Sequence, residues 1–236
     1  MAVAHALPTV VMIPGTLCDA RLFARQKHAL RGLADVRVVD YEELRPARDW
    51  AQALLDRLPQ RFSVVGFSLG GLWALELMRR APHRIERLAM VASNAHGASA
   101  AGRRNSARSW KLWRARGPDA VVRRLLPAYF HHERQRRRHA PLVTSMARRS
   151  RRDAVAAQLH WAASRPDGHA ALAAFQGPVL LVSGARDPVC TPAMQRAMVR
   201  AQPRAHWLEL PRVGHFVPLE GGARLRHALR RWLNLA

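Results

Sequence analysis

The chain has 236 residues and carries 39 Lys and Arg against 16 Asp and Glu, a formal surplus of 23 positive charges, and its length suits one ordinary core rather than several. With 49 % hydrophobic residues and seven Trp it holds too much apolar material to stay disordered, so the charge must decorate a globule. Lys27 and Lys111 are the only lysines, an Arg bias that, with abundant Ala, fits a GC-rich coding sequence, so charge alone identifies no partner.

From the N-terminus, residues 1–18 are the longest weakly charged apolar run. Pro8, Pro14 and Gly15 interrupt it, and it lacks the basic start and small-residue cleavage site of a secretory leader. No run is long enough and apolar enough to cross a bilayer. Short apolar runs predict buried strands at 9–13, 36–41, 62–66, 88–92, 179–183 and 207–210, each ending at Gly, Pro or a small polar residue. Between them, apolar spacing predicts helices over 22–33, 50–58, 69–80, 194–201 and 219–233. This alternation is the pattern of parallel strands joined by crossover helices, which makes the class α/β. One interval breaks the rhythm. Residues 96–170 contain no strand-like run but carry Trp110, Trp113, Val121, Leu125 and Tyr129 at helical spacings. They read as an inserted helical cap, leaving 1–95 and 171–236 as the core, and the apolar stripe of the insert reads as packing rather than as a cofactor box.

The chemistry-bearing signal lies at residues 62–71, where an apolar strand runs into Gly66-x-Ser68-x-Gly70 and then into an amphipathic helix. A nucleophile on a sharp strand-to-helix turn needs neighbours without bulk two positions away on either side, and Gly66 and Gly70 meet that demand. The bland alternative is an ordinary Gly-rich turn. A serine hydroxyl also needs a base, and the base needs a group that orients it and balances its charge. Asp187 follows the strand at 179–183 and His215 follows the strand ending at residue 210, where strand C-termini put active sites. Asp187 has little competition, because residues 88–118 contain no Asp or Glu. The expected catalytic set is Ser68, Asp187 and His215. His96 is a further candidate for the pocket wall; His131 and His132 are weaker ones. Cys18 and Cys190 sit in loops near strand ends, where a small semi-buried role suits them. Two cysteines build neither a disulfide framework nor a four-sulfur zinc site and suit a reducing, cytoplasmic compartment. No His-carboxylate spacing suggests metal ligands and the Gly-rich turn is no phosphate loop, so neither metal nor cofactor is expected.

Together, Pro14-Gly15-Thr16, Gly66-Phe-Ser-Leu-Gly70, Gly184-Ala-Arg-Asp187 and Gly214-His215 resemble the α/β-hydrolase superfamily across nearly the whole chain. Residues 14–23 and the inserted helices are similar to the small capped carboxylesterases of the pimeloyl-carrier-protein methyl ester esterase type. The resemblance implies a mostly or wholly parallel sheet, trimmed to about six strands because only eight residues precede the first one. It implies that the backbone N–H groups of Thr16 and Leu69 form the oxyanion site, with Leu17 in place of Thr16 if the loop is set one residue along. Pro14 stands where the family usually has His, which leaves the backbone donors available.

The implied activity is hydrolysis of a carboxylic ester through an acyl-enzyme. Thioesters, enol lactones and C–C bonds beside a carbonyl suit the same constellation. Ser68 excludes the covalent-Asp chemistry of related dehalogenases. A non-catalytic hydrolase-fold binding or signalling protein is the alternative of another class, and an aryl-ester assay separates the two. The insert carries 17 Arg and Lys against Asp119, Glu133, Asp153 and Asp167, so more than half of the net charge sits over the expected site. Such a field suits an acidic partner, an acyl carrier protein or a phosphate-bearing thioester, unless it only reflects codon bias. No nucleic-acid reading module is recognisable, which argues against that partner.

Overall fold

A computed structural model describes residues 6–44 and 49–234. The outermost residues of the expected core segments, 1–5 and 235–236, lie outside the described residues, as does part of the run read for a leader. Six strands, β1 (Thr9–Ile13), β2 (Asp35–Val38), β3 (Phe62–Phe67), β4 (Ile85–Val91), β5 (Val179–Gly184) and β6 (His206–Leu210), form one sheet in the order β2-β1-β3-β4-β5-β6. Every neighbouring pair is parallel. β3 and β5 are buried throughout, as their mostly apolar sequences require, whereas the edge strands β2 and β6 are partly exposed.

Eleven helices are described: α1 (Ala24–Ala29), α2 (Tyr41–Leu44), α3 (Trp50–Arg57), α4 (Leu69–Arg80), α5 (Ala100–Tyr129), α6 (Glu133–Arg149), α7 (Arg152–Ser164), α8 (His169–Ala174), α9 (Pro192–Ala201), α10 (Val217–Glu220) and α11 (Gly222–Leu233). None is long and apolar enough to cross a membrane. Strand alternation sends Val10 and Met12 into the core with Leu22, Phe23, Leu30 and α11, and Val11 and Ile13 into the opposite core under α3 and α4.

Where other crossovers carry short helices, β4 and β5 are joined through α5, α6, α7 and α8. α5 is broken at Gly117, whose φ of 70° directs the chain into Pro118. Trp73 of α4 stacks on Trp161 of α7 with ring centroids 4.4 Å apart, so the long connection rests directly on the helix after Ser68.

Several boundaries differ from the sequence expectation, among them the strand expected at 88–92, which already begins at Ile85, and three of the differences trace to a local cap or turn. The helix expected at 22–33 is a 3-10 turn (Ala20–Phe23) followed by α1, because the Asp19 carboxylate accepts from Arg21 N–H and starts the turn early. The strand expected at 36–41 stops at Val38, because Asp40 accepts from Glu42 N–H and opens α2. The helix expected at 219–233 divides at Gly221 and Gly222, the latter with φ of 51°. The boundary drawn at residue 170 falls inside α8.

Candidate active site

Parallel strands place their carboxyl ends on one edge, and the strand order reverses between β1 and β3, the switch point where this architecture opens a crevice. The loop after β1 brings Thr16 there and the turn after β3 brings Ser68. Ser68 has φ 51° and ψ −114°, a conformation that costs roughly 1–3 kcal/mol in a non-Gly residue. Its surroundings over-determine it. Ser68 N–H donates to Val91 O (3.0 Å), and Ser68 O accepts from Gly71 N (3.0 Å) and from Ser93 Oγ (2.7 Å).

The flanking glycines are required by contact rather than by dihedral angle. A Cβ on Gly70 would overlap the carbonyl oxygen of Ile13, and one on Gly66 would overlap the backbone of Gly70 and Gly71. Backbone cannot move aside as a side-chain tip can. Gly70→Ala is therefore expected to lose about 3 kcal/mol of stability in urea unfolding; a loss below about 0.5 kcal/mol would show that the turn relaxes.

The structure brings the three residues predicted from sequence into one hydrogen-bonded chain. His215 Nδ1 lies 2.8 Å from Asp187 Oδ2 and His215 Nε2 lies 3.0 Å from Ser68 Oγ. Because a carboxylate only accepts, Nδ1 carries the proton and Nε2 is left to accept from the serine. The second Asp187 oxygen accepts from Val189 N (2.7 Å) and Cys190 N (2.9 Å). Burial pushes the Asp187 carboxyl upward, but the neighbouring His215 and the two amides outweigh it and hold it below its ordinary value. The imidazole is walled by Phe67 and Tyr129, with ring centroids at 5.3 and 5.0 Å.

The oxyanion candidates separate. Leu69 N–H opens α4, where helix geometry offers no acceptor. Thr16 N–H has no acceptor among the described residues. Leu17, which turns with φ 60°, donates its N–H to Gln158 Oε1 of α7 at 2.9 Å, so that amide is already engaged.

Sequence reading missed what holds the histidine loop. Tyr129 O, at the end of α5, accepts from His215 N (2.8 Å) and Phe216 N (3.2 Å). Glu220 accepts from Gly214 N (2.8 Å) and His131 N (3.2 Å), and burial raises its carboxyl above the ordinary value. The only sequence signal is an acid directly after the apolar stretch 216–219.

A cavity of about 390 Å³ opens on Ser68, walled by core residues and by α5 and α7 residues including Ser109, Leu125 and Leu159, with Arg165 just beyond α7. Cys190 lines it, whereas Cys18 lies elsewhere; both are buried, which raises their thiols. His96 does not line it and instead packs edge-on against His169 at 4.6 Å. His131 and His132 face each other at the α5–α6 link.

Among the described residues, two trios of donor atoms lie within 4.8 Å of one another. One is Asp187, Cys190 and His215 itself; the other, His96, Asp167 and His169, is not apparent from spacing. In the second, Asp167 already pairs with His169 Nδ1 at 2.9 Å and the Arg165 charge acts on His96, which disfavours a cation.

Fold and site geometry define an α/β hydrolase, and the chain belongs to the alpha/beta hydrolase family, whose sequence profile matches residues 10–228. Among curated proteins it is similar to the pimeloyl-acyl-carrier-protein methyl ester esterase of Aromatoleum aromaticum, 49 % identical over 45 residues, a stretch that spans 19 % of this chain and only 18 % of the relative's length. Among solved structures, the enol-lactonase from Burkholderia xenovorans LB400 matches with a TM-score of 0.83 at 22 % identity, covering 99 % of this chain and 94 % of that one. A thermophilic esterase from Thermogutta terrifontis matches with a TM-score of 0.81 at 23 % identity, covering 97 % and 90 %. At such identities the structural likeness is one of fold.

Proposed function

We propose that this chain is a serine esterase with Ser68 as nucleophile, His215 as base and Asp187 as the group that orients the base. The observation that carries the reading is the continuous hydrogen-bonded chain from Ser68 Oγ through His215 to Asp187, ending in a cavity large enough for a small ester. His215 Nε2 takes the Ser68 proton as Oγ attacks the ester carbonyl. The carbonyl oxygen, now an anion, lies against the N–H groups of Thr16 and Leu69, and one such donor is worth about 10²- to 10³-fold in rate. His215 returns the proton to the departing alcohol, and the imidazolium formed in between is balanced by Asp187. Water then repeats the sequence on the acyl-enzyme.

Residues 96–170 act as a cap over this cavity in the proposed arrangement. The Aromatoleum aromaticum relative is named for an ester carried on an acyl carrier protein. The positive surplus of the insert suits an acidic carrier of that kind.

A fluorophosphonate probe tests the assignment. One phosphonyl adduct is expected, on the peptide carrying Ser68, with hydrolysis of a neutral 4-nitrophenyl ester falling in step with labelling. Turnover that survives complete labelling, or a dominant adduct elsewhere, overturns it. A folded protein that is neither labelled nor active would be a binding member of the fold.

A further inference from the structure

Arg165 is the sole ionised side chain of fixed charge among the described residues lining the Ser68 cavity. It is half-buried, and its Nε donates to His96 O at 3.0 Å while Nη1 contacts Ala162 O. Those bonds fix the guanidinium without neutralising it. Most arginines with a firm partner in this molecule meet an acid, as Arg21 meets Asp19 and Arg148 meets Asp119, but Arg165 has no carboxylate at ion-pair distance among the described residues. Taking a cation out of water without an opposing charge is costly, so an uncompensated one in a cavity wall marks a place where a ligand supplies the charge.

The wall from α5 has the same bias. Ser109 Oγ and Asn105 Oδ1 both accept from Nη2 of Arg124, at 2.7 and 3.0 Å. One acceptor site on each oxygen is thereby taken, and the Ser109 hydroxyl hydrogen and the Asn105 amide hydrogens remain as donors where these residues line the cavity. Arg124 also lacks a carboxylate partner among the described residues. Asp187, the acid that touches His215, is spent on that imidazole and two amides, and no acid lines the cavity among the described residues.

We propose that Arg165, with Asn105 and Ser109 held by Arg124, forms an anion subsite in the Ser68 cavity that takes a carboxylate carried on the acyl chain of the ester. The proposal rests on the esterase reading above. The acyl chain is the part that stays tethered to Ser68 until water releases it, so an enclosed wall must hold that part longest. Charge-assisted hydrogen bonds from a guanidinium to a carboxylate discriminate strongly against a chain of equal length ending in methyl.

Two ester series test this: 4-nitrophenyl monoesters of dicarboxylic acids from succinate to suberate, and the neutral 4-nitrophenyl esters of matching length. The expected result is that at least one diacid monoester has kcat/KM about tenfold or more above its neutral match. Arg165→Gln is expected to lower that ratio by about 10- to 100-fold, mainly through KM, and Arg165→Lys to retain part of it. An unchanged ratio in Arg165→Gln, or no preference at any chain length in the wild type, overturns the subsite. Because Arg165 also ties down His96 and Ala162, Ser109→Ala serves as a second variant that leaves those bonds alone, and a preference undiminished there removes Ser109 from the subsite. The esterase reading fails by a different sign: neutral esters hydrolysed equally well after Ser68→Ala. In that event glutarate against pentanoate binding by calorimetry, in wild type and Arg165→Gln, still decides the subsite.

Discussion

Ser68→Ala is expected to lower kcat for a 4-nitrophenyl ester by about 10⁶-fold while leaving a residual rate above that in water, because the oxyanion donors and the binding walls remain. The variant should stay folded. The backbone bonds that hold the strained turn, from Ser68 N to Val91 and from Gly71 and Ser93 to Ser68 O, do not use the hydroxyl. Among the described residues, the hydroxyl itself reaches only His215 Nε2. Thermal unfolding of the variant should therefore match the wild type to within about 1 kcal/mol, the worth of one hydrogen bond. A kcat reduced less than tenfold would mean that Ser68 is not the nucleophile.

Asp187→Asn has the next largest expected effect, a fall in kcat of about 10⁴-fold. The two amides explain why. Val189 N and Cys190 N need an acceptor, so the carboxamide that replaces the Asp187 carboxylate keeps its oxygen on them and turns its NH₂ toward His215 Nδ1. That forces the imidazole proton onto Nε2, the atom that must accept from Ser68. The same residue also shapes acid stability. The Asp187 carboxyl is held below its ordinary value in the folded chain, so its contribution is complete above about pH 3.8 and is lost as pH falls through the folded-state value. Urea unfolding followed down to about pH 2.5 should show a flatter acid limb in the Asn variant; parallel acid limbs would assign that loss of stability to other carboxylates.

The fold was legible where burial dictates pattern. β3 and β5 are mostly apolar because both faces are covered, and the turn at Ser68 is readable because backbone crowding leaves room only for Gly at 66 and 70. The boundaries at Asp19 and Asp40 were not legible, because an Asp that caps a new turn looks in sequence like any polar residue ending an apolar run. At the site, residues fixed to strand ends could be ordered along the chain. Contacts that depend on how α5 and α7 lie over the sheet could not. Gln158 on the Leu17 amide, Glu220 beneath the histidine loop and the convergence of His96 on His169 all join segments whose spacing carries no periodic signal.

The Tyr129 carbonyl and the Glu220 carboxylate bolt the end of α5 to the loop that carries His215. Residues 96–170 are therefore not an exchangeable ornament. A chimaera that imports this stretch from another family member must bring a compatible 213–220 loop with it, or the imidazole loses its register with the serine. Under the proposed mechanism, substrate range and proton transfer are inherited together through that seam, and directed evolution of the one will have to sample the other in the same library.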